Sequence, residues 1–389
     1  MSRAPLPDRG GTLDNVQALR GVAVLLVVFF HLHGLESTFV EGVRLLPDLC
    51  RIGRGGVDLF FVISGLVMVV STRRGRSGRP GEPGRFLLRR GLRIYPLYWF
   101  YSILSLSVFL LPAGSVGATW NEVDLLPSFL LWPQEKPPLL GVGWTLWHEL
   151  YFYAVFALLL IGGQAGLARR IILWAGLVVA GGWAYWRWLN PPAVSLLRIA
   201  TDPMTLEFAA GALIGWRLVQ GGGRRGGWPV LLGGVTLWAG AAVFLPEGLT
   251  GNVPDRWQRV FLLGIPAALL VYGAAALEAD RSWLLPRWLV WTGQASYSIY
   301  LSHILVLAVG RRLWFAVVER GHLAADGWLD GLDNLLALAL FLGAVLAVGT
   351  MSYRLLEAPL MRTVRARLAS LRSSLSSDAA GSPPRSGEP

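Results

Sequence analysis

Ten apolar stretches punctuate this chain, each close to the roughly 20 residues that a helix needs to cross the hydrocarbon core of a bilayer. They lie near 16–34, 57–71, 93–112, 143–161, 170–187, 204–217, 228–245, 259–277, 289–309 and 332–352, the second and sixth being short. The expected fold is therefore all-α, a polytopic membrane bundle of about ten transmembrane helices. Composition agrees: 54% of the 389 residues are hydrophobic and only 15% charged, whereas soluble domains carry about a quarter charged residues. A soluble enzyme and a disordered chain are both excluded. Cys50 is the only cysteine, which excludes a disulfide scaffold. The first stretch is rich in large side chains and is followed by no small-residue cleavage motif, so it reads as a retained span rather than a signal peptide.

Basic residues stay on the cytoplasmic side of such bundles. With ten spans, one set of connecting segments carries 22 Lys and Arg and the alternate set 10. The richer set contains both termini, which are therefore expected in the cytoplasm, with the loop 113–143 outside. Residues 1–10 are expected to be a short cytoplasmic N-terminus, 11–357 the membrane domain and 358–389 a cytoplasmic, largely disordered tail. The formal charge of +11 is spread in short runs with no nucleic-acid-binding signature, which favours anionic lipid headgroups and anionic cofactors over nucleic acid as partners. No metal site is expected.

Ionisable groups within spans are costly and mark interior-facing or functional positions. Arg20 and His31 stand eleven residues apart, about three turns, on one face of the first span and about 16 Å apart along its axis. Arg20 is either an interfacial anchor or part of a site; His31 is either a hydrogen-bonded interior histidine or a base. Asp58 opens the second span, where the helix dipole favours a carboxylate, and Ser64-Gly65 follow as a small polar step. Arg89, Arg90 and Arg93 end an arginine-rich run before Tyr95-Pro96. Headgroup anchoring and pairing with the phosphates of a cofactor use the same guanidinium chemistry. Glu149 lies one to two turns inside the fourth span and calls for a partner. Ser296, Tyr300 and His303 form a polar stripe on the ninth, suited either to interhelical hydrogen bonds or to a substrate.

Five ordered motifs, Arg20 with His31, Gly56 to Gly65, Arg89 to Pro96 with Tyr98, Trp144-Thr145-Leu146 with Glu149 and Tyr153, and Ser296-Tyr297-Ser298 with Tyr300 and His303, resemble those of the acyltransferase type 3 family of bacterial integral-membrane acyltransferases. The similarity spans roughly residues 11 to 357. It implies transfer of an acyl group, commonly acetyl, from cytoplasmic acyl-CoA to a hydroxyl of a cell-envelope glycan, lipid-linked sugar or glycosylated metabolite at the bacterial inner membrane. In that light His31 is the essential histidine, Glu149 or Asp58 orients it, and Arg20, Arg89, Arg90, Arg93 and Tyr95 hold the donor. His148 departs from the motif, and the extra periplasmic domain of some members is absent from this sequence. The competing reading, a transporter or flippase for a sugar-containing substrate, is expected to show paired halves with interrupted helices.

Overall fold

The structure is a computed structural model that describes residues 13–37, 44–72, 82–109, 123–185, 188, 196–222, 226–244, 253–321 and 332–380. Among these, every regular element is helical. Six segments are long and apolar enough to cross a membrane, namely 14–36, 48–72, 143–161, 167–184, 256–279 and 334–368. Large side chains such as Leu158, Ile161, Leu177 and Leu232 point outward from the bundle, as they do where a helix faces lipid.

Helix α1 (Asp14–Glu36) and helix α2 (Gly55–Thr72) form the centre. A short 3₁₀ turn, Asp48–Arg54, leads into α2. Helix α3 (Glu82–Phe109) begins well before the apolar stretch expected at 93, because Phe86, Leu87 and Leu88 among the arginines continue a helix-forming sequence through Pro96. Arg85, Arg89 and Arg93 consequently ride on a helix at four-residue spacing rather than in a loop. Residues 73–81, which contain Arg73, Arg74, Arg76 and Arg79, lie outside the described residues. Helix α4 (Leu125–Leu130) and the segment after it run along α3. Tyr98 donates to the Ser128 carbonyl at 2.6 Å, Trp99 Nε1 to Phe129 at 2.9 Å and Ser105 to Leu139 at 3.4 Å. Side chains of α3 thus cap carbonyls at the end of α4 and at Leu139 in the segment that follows.

Helices α5 (Gly143–Ile161), α6 (Leu167–Ala184), α7 (Leu196–Ala200) and α8 (Thr205–Val219) complete one flank. Close helix packing joins α2 to α8. A methyl group at Gly211 would run into the Val62 backbone, and one at Gly65 into the Phe208 carbonyl; small residues permit this close approach. Phe208 stacks on both Phe61 and Phe152, with ring centroids 4.4 and 4.3 Å apart. On the other flank lie α9 (Gly227–Phe244), α10 (Val253–Arg259) and, after a π turn, α11 (Ile265–Ala279).

The ninth expected stretch is divided. Helix α12 (Arg287–Gln294) packs against the first half of α1, and α13 (Ser296–Gly321) starts afresh at Ser296. Helix α14 (Leu332–Ser352) passes through a π turn into α15 (Ala358–Ala380). The tail expected to be largely disordered from 358 is thus helical to Ala380. Leu360, Val364 and Leu368 recur every four residues among alanines and arginines, an amphipathic pattern that the serine-rich composition obscured. Residues 1–12 and 381–389 lie outside the described residues.

Candidate active site

Three cavities adjoin along α1. The first lies beside the start of α1 and is lined by Asp14, Gln17, Arg20, Arg93, Glu357, Arg362 and Arg365. The second is lined by Arg20, Ser64, Arg90, Arg93, Glu149, Tyr153, Ser296, Tyr297 and Tyr300. The third contains His31 together with Arg54, Trp144, Arg259 and Tyr300. Arg20 and Arg93 belong to the walls of both the first and the second, Val57 and Tyr300 to those of the second and the third. The row therefore runs from the arginine end of α1 to its histidine end.

At the histidine end, His31 Nδ1 stands 2.9 Å from the Val27 carbonyl and 3.4 Å from His303 Nε2. His303 Nδ1 in turn lies 2.7 Å from the Tyr300 carbonyl. Carbonyl oxygens only accept, so both rings carry their proton on Nδ1. His303 Nε2 then accepts from His31 Nδ1–H, and the His31 Nε2 lone pair has no partner among the described residues. A fully buried neighbour and a backbone carbonyl thus fix the tautomer that leaves a basic nitrogen at the cavity wall. The rings meet edge to face with centroids 4.9 Å apart.

Neither Glu149 nor Asp58 orients His31, contrary to the expectation from the sequence. Glu149 accepts from the Tyr153 hydroxyl one turn along α5. Asp58 is held by Arg259, whose Nε lies 3.0 and 3.2 Å from its two oxygens and whose Nη2 lies 2.8 Å from one. Bidentate pairing with a guanidinium satisfies a buried carboxylate better than an imidazole would. Helix N-termination alone does not explain Asp58; Arg259, at the start of the eighth apolar stretch, was given no role from the sequence because its partner is 201 residues away.

In the middle cavity the structure brings together Arg20, Arg90, Arg93, Ser64, Glu149, Ser296 and Tyr300. Arg93 is surrounded by Glu149, Glu357, Tyr153 and Tyr297. Arg20 faces Arg93, Glu357 and Glu149 and reaches Gln17 at 3.4 Å. Arg90 lies 5.4 Å over the rings of Phe86 and Tyr153 and donates to Ser71. The Tyr300 hydroxyl is 2.8 Å from Thr145 Oγ1, while the buried Ser296 hydroxyl has no hydrogen-bond partner. Two expected donor contacts do not join this group. Arg89 is drawn to Glu82 at 3.1 Å although it shares a helix face with Arg93, and Tyr95, two residues on from Arg93, points away and donates to the Leu130 carbonyl at 3.0 Å. Arg362 and Arg365 take a place at the first cavity that the sequence did not indicate, since a tail read as disordered presents no defined face. Groups able to form a metal site of three or more His, Cys, Asp or Glu are absent among the described residues.

A profile of the family described as "Acyltransferase domain" matches residues 13–354. Similar proteins include the exopolysaccharide production protein ExoZ of Rhizobium meliloti (strain 1021), 33% identical over 341 residues that cover 81% of this chain and 92% of ExoZ. The acyltransferase MdmB of Streptomyces mycarofaciens is 29% identical, covering 93% of this chain and 95% of its own. The putative membrane-bound transacylase BcsY of Komagataeibacter xylinus is 26% identical, covering 88% and 81%. No solved structure matches. With nearly the whole helical bundle inside the matched region, this multi-pass membrane protein belongs to the acyltransferase type 3 family.

Proposed function

We propose that the protein transfers an acyl group, acetyl in the simplest case, from cytoplasmic acyl-CoA to a hydroxyl of a cell-envelope glycan, lipid-linked sugar or glycosylated metabolite. The observation that carries this reading is the row of cavities joining an arginine cluster to a histidine with a free Nε2. The names of ExoZ, MdmB and BcsY point the same way.

In this reading Arg20, Arg93, Arg362 and Arg365 bind the phosphates of the donor at the first cavity. The slender arm of the donor occupies the second, with its thioester beside Tyr300, the residue shared with the third. The acceptor enters the third cavity and presents a hydroxyl to His31. Nε2 removes the hydroxyl proton as the oxygen attacks the thioester carbonyl, an ester bond replaces the carbon–sulfur bond, and the departing thiolate takes the proton back from the imidazolium. His303 and the Val27 carbonyl hold the ring in the productive tautomer. The arginine end of α1 then faces the cytoplasm, as the distribution of basic residues favours, on a ten-span bundle with both termini inside.

The test is release of free coenzyme A thiol by the purified full-length protein supplied with acetyl-CoA and extracted envelope glycans, together with a mass increase of one acetyl group in the acceptor. A transporter would move the glycan and release no thiol.

A further inference from the structure

The third cavity has a charge arrangement that proton transfer does not require. Arg54 and Arg259 both line it with His31, and no carboxylate does. Asp58 lies behind the wall and is taken up by Arg259 through Nε and Nη2. Arg259 Nη2 also donates to the Arg54 carbonyl at 3.2 Å, and its guanidinium lies 6.0 Å over the Trp144 ring, so it is braced from two sides, while Nη1 has no hydrogen-bond partner among the described residues. Among the described residues Arg54 has no acidic partner of its own. The charges that bear on it are those of Arg259 and Asp58, which already pair with each other. Its buried Nε has no hydrogen-bond partner, and its guanidinium packs 5.5 Å over the Phe30 ring, one residue before His31.

Two guanidinium groups held at one wall repel each other and lack full satisfaction in a desolvated pocket. An anion between them would relieve both costs. A planar guanidinium fork matches a carboxylate or a phosphate oxygen pair, and Arg54 and Arg259 both present a guanidinium group at this wall. We propose that Arg54 and Arg259 form an anion subsite for the acceptor, which therefore carries a carboxylate or phosphate near the hydroxyl that is acylated. Arg54 is a specificity-determining residue, and Asp58 is a positioning residue that acts through Arg259. The inference rests on the acyl-transfer reading only in taking the occupant to be the acceptor.

The experiment compares three pyranoside probes with the full-length protein in detergent: methyl glucuronoside, glucose 1-phosphate and the neutral methyl glucoside. Affinity is measured by titration calorimetry without donor, and coenzyme A thiol release is measured separately with acetyl-CoA. At least one anionic probe is expected to bind tenfold or more tightly than the glucoside, a preference for the carboxylate pointing to an acidic sugar and one for the phosphate to a sugar phosphate. Arg54→Gln should reduce that anionic-to-neutral ratio at least tenfold, and Arg54→Lys should retain part of it. Thermal unfolding of each variant confirms the fold, and Arg54 is the residue to change because its side chain donates no hydrogen bond to the described residues. Equal affinity for all three probes, or a preference that survives Arg54→Gln in a folded protein, would overturn the subsite. Anion preference without thiol release would uphold the subsite and remove the acyl-transfer reading, whereas thiol release without preference would do the reverse.

Discussion

At the scale of single residues, the imidazole of His31 is distinguished by what holds it rather than by a charged partner. Its Nδ1 is committed to Val27 and His303, so the basic lone pair is directed by two neutral groups. His31→Ala should lower acyl transfer by about a hundredfold or more, the usual scale for an acid–base group, with protein yield and thermal unfolding unchanged. A folded variant with parental thiol release would remove His31 from the mechanism. Glu149→Gln makes a different prediction from the one a triad would give. Glu149 bonds Tyr153 and opposes Arg20, Arg90 and Arg93, so its loss should alter the KM for acyl-CoA more than kcat. A drop in kcat at constant KM would return it to the chemical step. The sequence made Arg20, Ser64, Glu149, Ser296 and Tyr300 visible because each interrupts an apolar run. It could not reveal which carboxylate meets which base, because hydrogen-bond pairing depends on the packing of helices distant in sequence.

The elements carry the donor site and the rigidity around it. Helix α3 places Arg90 and Arg93 at the middle cavity; helical phase turns Tyr95 away, and the ion pair with Glu82 takes up Arg89. Apolar runs alone marked the start of α3 too late, since an arginine-rich segment scores as polar whether it is loop or helix. Helix α15 adds Arg362 and Arg365 to the first cavity. The double variant Arg362→Gln/Arg365→Gln should raise the dissociation constant for acetyl-CoA several-fold and make the remaining binding less sensitive to salt, whereas Arg89→Gln should change neither. Titration calorimetry at two ionic strengths reads both; an unaltered constant in the double variant would leave α15 outside the donor site. The α2–α8 contact admits no side chain at Gly211, so Gly211→Val should destabilise the bundle by overpacking on the order of 1–3 kcal/mol. A lower unfolding temperature in detergent is the expected result.

For the whole molecule, fold class was legible from the apolar stretches because the bilayer sets one length for every span. Boundaries were legible where apolar runs end sharply, as at Gly143 and Ile161, and failed where a helix extends into charge or divides within an apolar run, as at Ala295. The direction of the bundle is the property on which the proposed mechanism depends. A thioester donor made in the cytoplasm must meet the arginine cluster first, and an envelope acceptor must meet His31. The row of cavities supplies both ends, and the bias of 22 basic residues to 10 on alternate segments gives it a sense. Cysteines introduced at residue 80 and at residue 118, in a background with Cys50→Ser, should therefore behave oppositely in intact cells. A membrane-impermeant maleimide should label position 118 directly and position 80 only after the membrane is opened. The reverse pattern would place the arginine cluster outside, where no acyl-CoA is available, and the order of donor and acceptor along α1 would have to be inverted.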